Sequence, residues 1–212
     1  MDRALLNPWL RPMLLPLKRW LDHVEWLLRG RTPPLPPPRK QAIILEHMQR
    51  WHATTLVETG TYLGETVAAL RPHFEHVYSI ELDPRLYQAA VSRFRRYAEV
   101  RILHGDSGQL VRSLVPELSG TVLFWLDGHY SGGMTALGEA VTPVEAELEA
   151  IFRADASLEP IVLIDDARLF TGEGGYPSIG ALLQRTAELA PNYLPEVEGD
   201  IVALTPRPAG NV

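Results

Sequence analysis

The chain has 212 residues, 46% of them hydrophobic, with a mean hydropathy of −0.05. That is enough to bury one sizeable core and carry a small appendage, and it excludes a disordered composition. A net charge of −6 argues against a nucleic-acid binder that works through bulk positive charge. The absence of cysteine excludes disulfides, zinc thiolates and a cysteine nucleophile.

No run of about 18 apolar residues is present to span a bilayer. The first apolar run is broken by Pro8, Arg11, Pro12 and Pro16, so it does not read as a signal peptide, and a cytoplasmic location is expected. Those prolines are expected to forbid a regular helix over residues 1–16. From Leu17 the pattern changes. Leu17, Trp20, Leu21, Val24, Leu27 and Leu28 recur on one helical face, opposite Lys18, Arg19, Asp22, Glu25 and Arg29. This predicts a docking helix, laid either over its own core or against a second copy in a homodimer. Residues 29–40, RGRTPPLPPPRK, hold five of the 18 prolines and predict a stiff, extended connector. The domain boundary is placed there, dividing residues 1–40 from residues 41–212. A lead-in helix is expected over residues 41–50.

The stretch LVETGTYLGETV, residues 56–67, reads as a short strand, a glycine-bracketed turn and the start of a helix. Such a turn is expected to aim free backbone N–H groups past the strand's carboxyl end. Further strands are expected at residues 76–82, 100–106, 121–128 and 160–167. The last two are continuous apolar runs of the kind buried on both faces of a parallel sheet. Helices are expected between them, with Asp83–Pro84 opening one and Thr142, Pro143 and Glu145 forming a capping box for another. Two further strands turn near Gly199. The alternation predicts an α/β fold: a Rossmann-like, doubly wound, mostly parallel seven-stranded sheet with a C-terminal antiparallel hairpin.

In such a sheet ligands sit beyond the carboxyl ends of the strands. Five successive strands deliver acids there: Glu58, Glu81, Asp106, Asp127 and the pair Asp165 and Asp166. Carboxylates gathered at one edge repel each other unless cations or donors accompany them. Glu81 lies about 20 residues beyond the glycine turn, where a carboxylate accepts from both ribose hydroxyls of a nucleoside. Asp106 and Ser107 suit an adenine amine, or Asp106 simply caps the next helix. Leu82 would cover the adenine face. Asp127, Asp165 and Asp166 are hard oxygen ligands suited to Mg2+ or Ca2+. Capping of a loop by one of the pair is the plainer alternative.

The acid-x-Gly-x-x-x-Gly spacing of Glu58, Gly60 and Gly64 resembles motif I of the class I S-adenosylmethionine (SAM) dependent methyltransferases. YSIELD, LHGDS, FWLDGHY and VLIDDARLF follow in the order of that family's motifs. The resemblance covers about residues 40–212. Within the class, an aspartate after the fourth strand and an Asp-Asp pair after the fifth resemble the metal-dependent O-methyltransferases of the macrocin, sugar-modifying type. One departure is His129, standing where a second aspartate tends to follow. The resemblance implies SAM held by Glu58, Gly60, Glu81 and Asp106, and a divalent cation on Asp127, Asp165 and Asp166; Thr61, Gly64, Leu82 and Ser107 are expected to join the cofactor site. His129 would be the general base, or else a loop histidine bonded to backbone, and Tyr130 and Tyr176 would line the pocket of a small-molecule or sugar hydroxyl. No nucleic-acid partner is expected. The competing readings are an NAD-dependent oxidoreductase, a non-catalytic interaction protein on the same fold, and an N-methyltransferase acting on protein or nucleic acid, for which no Asn-Pro-Pro-aromatic motif follows the fourth strand.

Overall fold

The computed structural model describes residues 11–127, 142–155 and 157–208. Helices α1 (Arg11–Leu28) and α2 (Pro37–Trp51) precede the sheet. Then come β1 (Thr55–Thr59), α3 (Glu65–Leu70), β2 (His76–Glu81), α4 (Pro84–Phe94), β3 (Val100–His104), α5 (Ser107–Leu114) and β4 (Gly120–Leu126). The chain closes with α6 (Val144–Phe152), β5 (Leu158–Ile164), α7 (Ile179–Leu189), β6 (Tyr193–Glu198) and β7 (Ile201–Pro206). The strand order is β3-β2-β1-β4-β5-β7-β6. The first five strands run parallel, and β7 is antiparallel to both β5 and β6.

Strands β1, β4 and β5 are central, and their side chains alternate between two cores. Val57, Val122, Phe124, Leu126, Val162 and Ile164 pack on one face of the sheet with α5, α6 and α7. Leu56, Leu123, Trp125, Ile161 and Leu163 pack on the other with α2, α3 and α4. Burial on both faces is why these strands read as unbroken apolar runs. The strand order reverses between β1 and β4, and the crevice at that point is where such sheets bind ligands.

Three local expectations are corrected. α1 starts at Arg11 and carries Pro16 inside it. Pro12 falls in the first turn, where an N–H has no partner in any case, and Pro16 removes one hydrogen bond without ending the helix. The extended connector ends sooner than residue 40, because Pro37 and Pro38 form the first turn of α2, where their fixed φ suits a helix. The capping box at Thr142 does not form: Pro143 is the N-cap residue of α6, and Thr142 Oγ1 meets the N–H of Val144 at 3.4 Å.

The apolar stripe of α1 does not cover the core. Trp26 and Arg19 dock the helix instead: Trp26 is buried with Leu35, Ile43 and Ile44, and Arg19 pairs with Glu65 at 3.1 Å. The stripe residues Leu17, Trp20, Leu21, Leu27 and Leu28 remain exposed among the described residues.

Candidate active site

The turn after β1 is tight because two of its positions demand it. Gly60 and Gly64 both have positive φ, at 87° and 69°. A Cβ on Gly64 would also lie 2.7 Å from Cε2 of Phe94 in α4. Four of the turn's N–H groups are engaged within the chain. The N–H groups of Gly60 and Thr61 both donate to Ile80 O, at 2.9 and 3.1 Å, continuing the β1–β2 ladder around the bend. Tyr62 N–H donates to Glu81 Oε2 at 2.7 Å, and Gly64 N–H to Thr61 O at 2.7 Å. A turn whose amides are engaged in this way is a poor cradle for a pyrophosphate.

Glu58 lies beneath this turn, 1% exposed, where its carboxyl accepts from Ser79 Oγ of β2. Ser79 Oγ is in turn 2.6 Å from Thr61 Oγ1. Burial pushes Glu58 up to about 8; hydrogen bonds from Ser79 and Thr66 oppose the rise, and the charge of Glu81 adds to it. Glu58 is therefore mostly a neutral acid at pH 7 in the ligand-free chain.

Glu81 closes β2 beside the turn. Its carboxylate accepts from Tyr62 N–H at 2.7 Å and from Asp83 N–H at 2.9 Å. Burial raises its pKa, and those two N–H groups and that of Leu82 work against the rise. Three backbone donors take most of its lone pairs, and about one remains for a ligand hydroxyl. Leu82 is partly buried next to it. Asp106 caps α5, accepting from Gln109 N–H at 3.2 Å, and Ser107 is buried behind it.

Asp127, Asp165 and Asp166 do converge. One carboxylate oxygen from each lies within 4.8 Å of the others. Two adjacent parallel strands bring them together, since Leu126 and Ile164 are register partners and Asp127 and the Asp pair follow them directly. Asp166 adopts a left-handed backbone (φ 56°, ψ 48°), an unfavourable conformation for a residue with a Cβ. In this turn Asp166 N–H donates to Asp165 Oδ1 at 2.8 Å.

The structure adds residues that sequence reasoning missed. Lys40, from the first turn of α2, donates its ammonium to Asp165 Oδ2 and, at 3.2 Å, to Asp166 Oδ1. Arg168 donates to Asp166 Oδ1 at 2.7 Å and to Asp200 Oδ2. Asp200, 1% exposed, also accepts from Arg168 N–H at 2.9 Å. Arg168 follows the Asp pair by two residues and was within reach of a charge-balance argument. Lys40 is 125 residues from Asp165 and carried no such signal.

Burial alone would lower the Lys40 pKa, but Asp165, Asp127 and Asp166 outweigh it, and the ammonium is held charged. Asp165 is pushed well up, first by burial and then by Asp127, against the pull of Lys40. The two shifts favour the charged lysine but the neutral acid. What holds among the described residues is a gathering of acids: Asp127, Asp165 and Asp166, with Asp200 alongside, lie around Lys40 and Arg168.

Tyr176 adds a donor. Its hydroxyl is buried without a hydrogen-bond partner among the described residues, and burial with the charges of Asp166 and Asp127 raises its pKa. The donor set therefore suits a divalent cation: three hard oxygens from gathered acids and an orphaned hydroxyl beside them. His129, Tyr130 and the rest of residues 128–141 lie outside the described residues.

No protein-family model matches the chain, and no curated protein sequence matches it. Solved structures do. A Staphylococcus aureus protein assigned as a caffeoyl-CoA O-methyltransferase is 14% identical, with 91% of this chain and 96% of that one covered and a TM-score of 0.52. The methyltransferase PaMTH1 of Podospora anserina, bound to S-adenosylhomocysteine (SAH), is 16% identical, with 89% and 87% covered and a TM-score of 0.54. The N-methyltransferase NodS of Bradyrhizobium japonicum, also with SAH, is 14% identical, with 80% and 86% covered and a TM-score of 0.52. The chain thus has the fold of the class I SAM-dependent methyltransferases. At these identities the likeness is one of fold, and the fold is common to O- and N-methylating proteins.

Proposed function

We propose that the protein is a SAM-dependent O-methyltransferase acting on a hydroxyl of a small molecule or sugar, with Mg2+ or Ca2+ at the acidic cluster. The observation that carries this reading is the convergence of Asp127, Asp165 and Asp166 at the ends of β4 and β5. That cluster stands at the carboxyl edge of the sheet, one strand over from the Gly60 turn and two from Glu81.

SAM brings a methyl group already activated on a sulfonium. The chain's own task is to hold donor and acceptor in line and to remove the acceptor's proton. Glu81 would accept from the ribose hydroxyls, Asp106 and Ser107 would meet the adenine edge, and Leu82 would cover its face. Glu58, Gly60, Thr61 and Gly64 shape the turn on which the donor rests. Asp127, Asp165 and Asp166 would hold the divalent cation, whose chemistry there would be to make a hydroxyl of the acceptor more acidic. Tyr176 donates its hydroxyl hydrogen to an acceptor oxygen, and His129 takes the acceptor's proton.

The engaged amides of the turn disfavour the NAD reading, since a dinucleotide needs free N–H groups for its pyrophosphate. The gathering of acids disfavours a purely structural protein, which gains nothing from that repulsion. The net charge of −6 goes with a partner other than nucleic acid. No helix among the described residues is long and apolar enough to cross a membrane, and a cytoplasmic site of action fits this reading. A thermal-shift series tests the donor: SAM and SAH are expected to raise the melting temperature and NAD to leave it unchanged. Stabilisation by NAD alone would overturn the reading.

We take residues 41–212 as the transferase domain and residues 1–40 as its appendage, with Trp26, Leu35 and Lys40 already built against the domain. The exposed α1 stripe supports a homodimer through this helix. Trp20 is 61% exposed on that stripe, so Trp20→Glu is expected to convert a dimer to a monomer without loss of fold. Light scattering with circular dichroism reads both outcomes, and a wild-type monomer would dismiss the dimer.

A further inference from the structure

We propose that Lys40 is a tethered cation that competes with a divalent ion for Asp165 and Asp166, and so sets how weakly the acidic cluster binds metal. The inference rests on the metal reading above and deepens it. Lys40 is the fourth residue of α2, a helix fixed to the core by Ile43 and Ile44, which are 1% and 0% exposed. Its backbone is therefore held at the crevice, while its four-carbon side chain can still swing. The ammonium donates to one oxygen of Asp165 and one of Asp166, and the Asp165 side chain is 0% exposed.

A divalent ion on these carboxylates needs oxygens at roughly 2.0–2.6 Å. It would draw on the oxygens that Lys40 now uses, and two cations sharing them would stand a few ångströms apart and repel strongly. Arg168 is placed differently. It straddles Asp166 and Asp200, and its second partner anchors it to the side of the cluster. Of the two basic side chains, Lys40 is the one bound only to cluster carboxylates. Entry of the ion thus requires the ammonium to leave, and the ion must then supply the charge that Lys40 supplied.

Isothermal titration of Ca2+ and of Mg2+ into wild type, Lys40→Met and Lys40→Arg tests this, with SAH affinity as the check that the fold is kept. Lys40→Met is expected to bind the ions at least about tenfold more tightly than wild type, and Lys40→Arg no more tightly. Equal binding by wild type and Lys40→Met overturns the role of Lys40 and leaves the metal site standing. Absence of binding by all three overturns the metal reading and this inference together. A second measurement uses only the wild-type protein, in case Lys40→Met does not fold. Reductive methylation of Lys40, followed by peptide mass spectrometry, is expected to accelerate when Ca2+ is added, because the ammonium is released. An unchanged rate in the presence of bound Ca2+ overturns the proposal.

Discussion

Replacing Asp127 with alanine is expected to lower methyl transfer at least about 10²-fold, the scale of removing one group that stabilises developing charge. SAH affinity is expected to stay within about threefold, since Asp127 is not among the residues assigned to the donor and separated sites act nearly independently. The physical reason is separation of roles along the sheet edge. Asp127 follows β4 and turns its carboxylate to Asp165 and Asp166. The donor contacts assigned to Glu81, Leu82 and Asp106 are on β2, β3 and the turns after them. Asp127 also contributes, after burial, to the upward push on Asp165, so its removal lets Asp165 and Lys40 pair with less competition. Asp127→Asn, which keeps the shape and loses the charge, is expected to fall nearly as far. Transfer assays with radiolabelled SAM and titration of SAH separate the two effects. Normal turnover by either variant would remove Asp127 from the reaction.

The second large effect is on stability. Glu58 titrates near 8 in the folded chain because burial favours its neutral form, and near its ordinary value of 4.5 when unfolded. The folded state therefore holds the proton more tightly. The stabilisation linked to that proton is fully present below about pH 4.5 and is lost as pH rises toward 8. Each pH unit crossed inside that window removes about 1.4 kcal/mol, so the whole window is worth on the order of 5 kcal/mol. Glu58→Gln keeps an acceptor for Ser79 Oγ and cannot ionise. It is expected to be more stable than wild type at pH 8 and to lose that advantage by about pH 5. Denaturant melts of both proteins at pH 5, 6.5 and 8 measure the difference, and other titrating groups cancel in the comparison. A constant difference across the three pH values would show that Glu58 is ionised in the fold.

These two residues also mark how far the sequence could be read. Glu58 and Asp127 were both visible as acids at strand ends, but a strand end does not say which way a side chain turns. Asp127 faces its neighbours across the crevice, whereas Glu58 turns under the glycine bend into a buried hydroxyl network. The bend itself was legible from Gly60 and Gly64. The fate of its amides was not, because it depends on β2 extending alongside to offer Ile80 O. The stripe on α1 was legible as a helix face, yet its orientation was set by Trp26 and Arg19 finding partners on other elements.

By itself the sequence determined the alternating sheet, the central strands β4 and β5, the acids at their ends and the capping aspartates before α4 and α5. Each of these follows from local pattern: unbroken apolar runs, period-3.6 stripes and side chains that bond the next few N–H groups. Only the tertiary structure decided which charges compensate the cluster. Lys40 reaches Asp165 across 125 residues of chain because α2 packs over the sheet beside β4 and β5. An ion pair between distant segments leaves no trace in spacing, since its geometry exists only after the helix has docked.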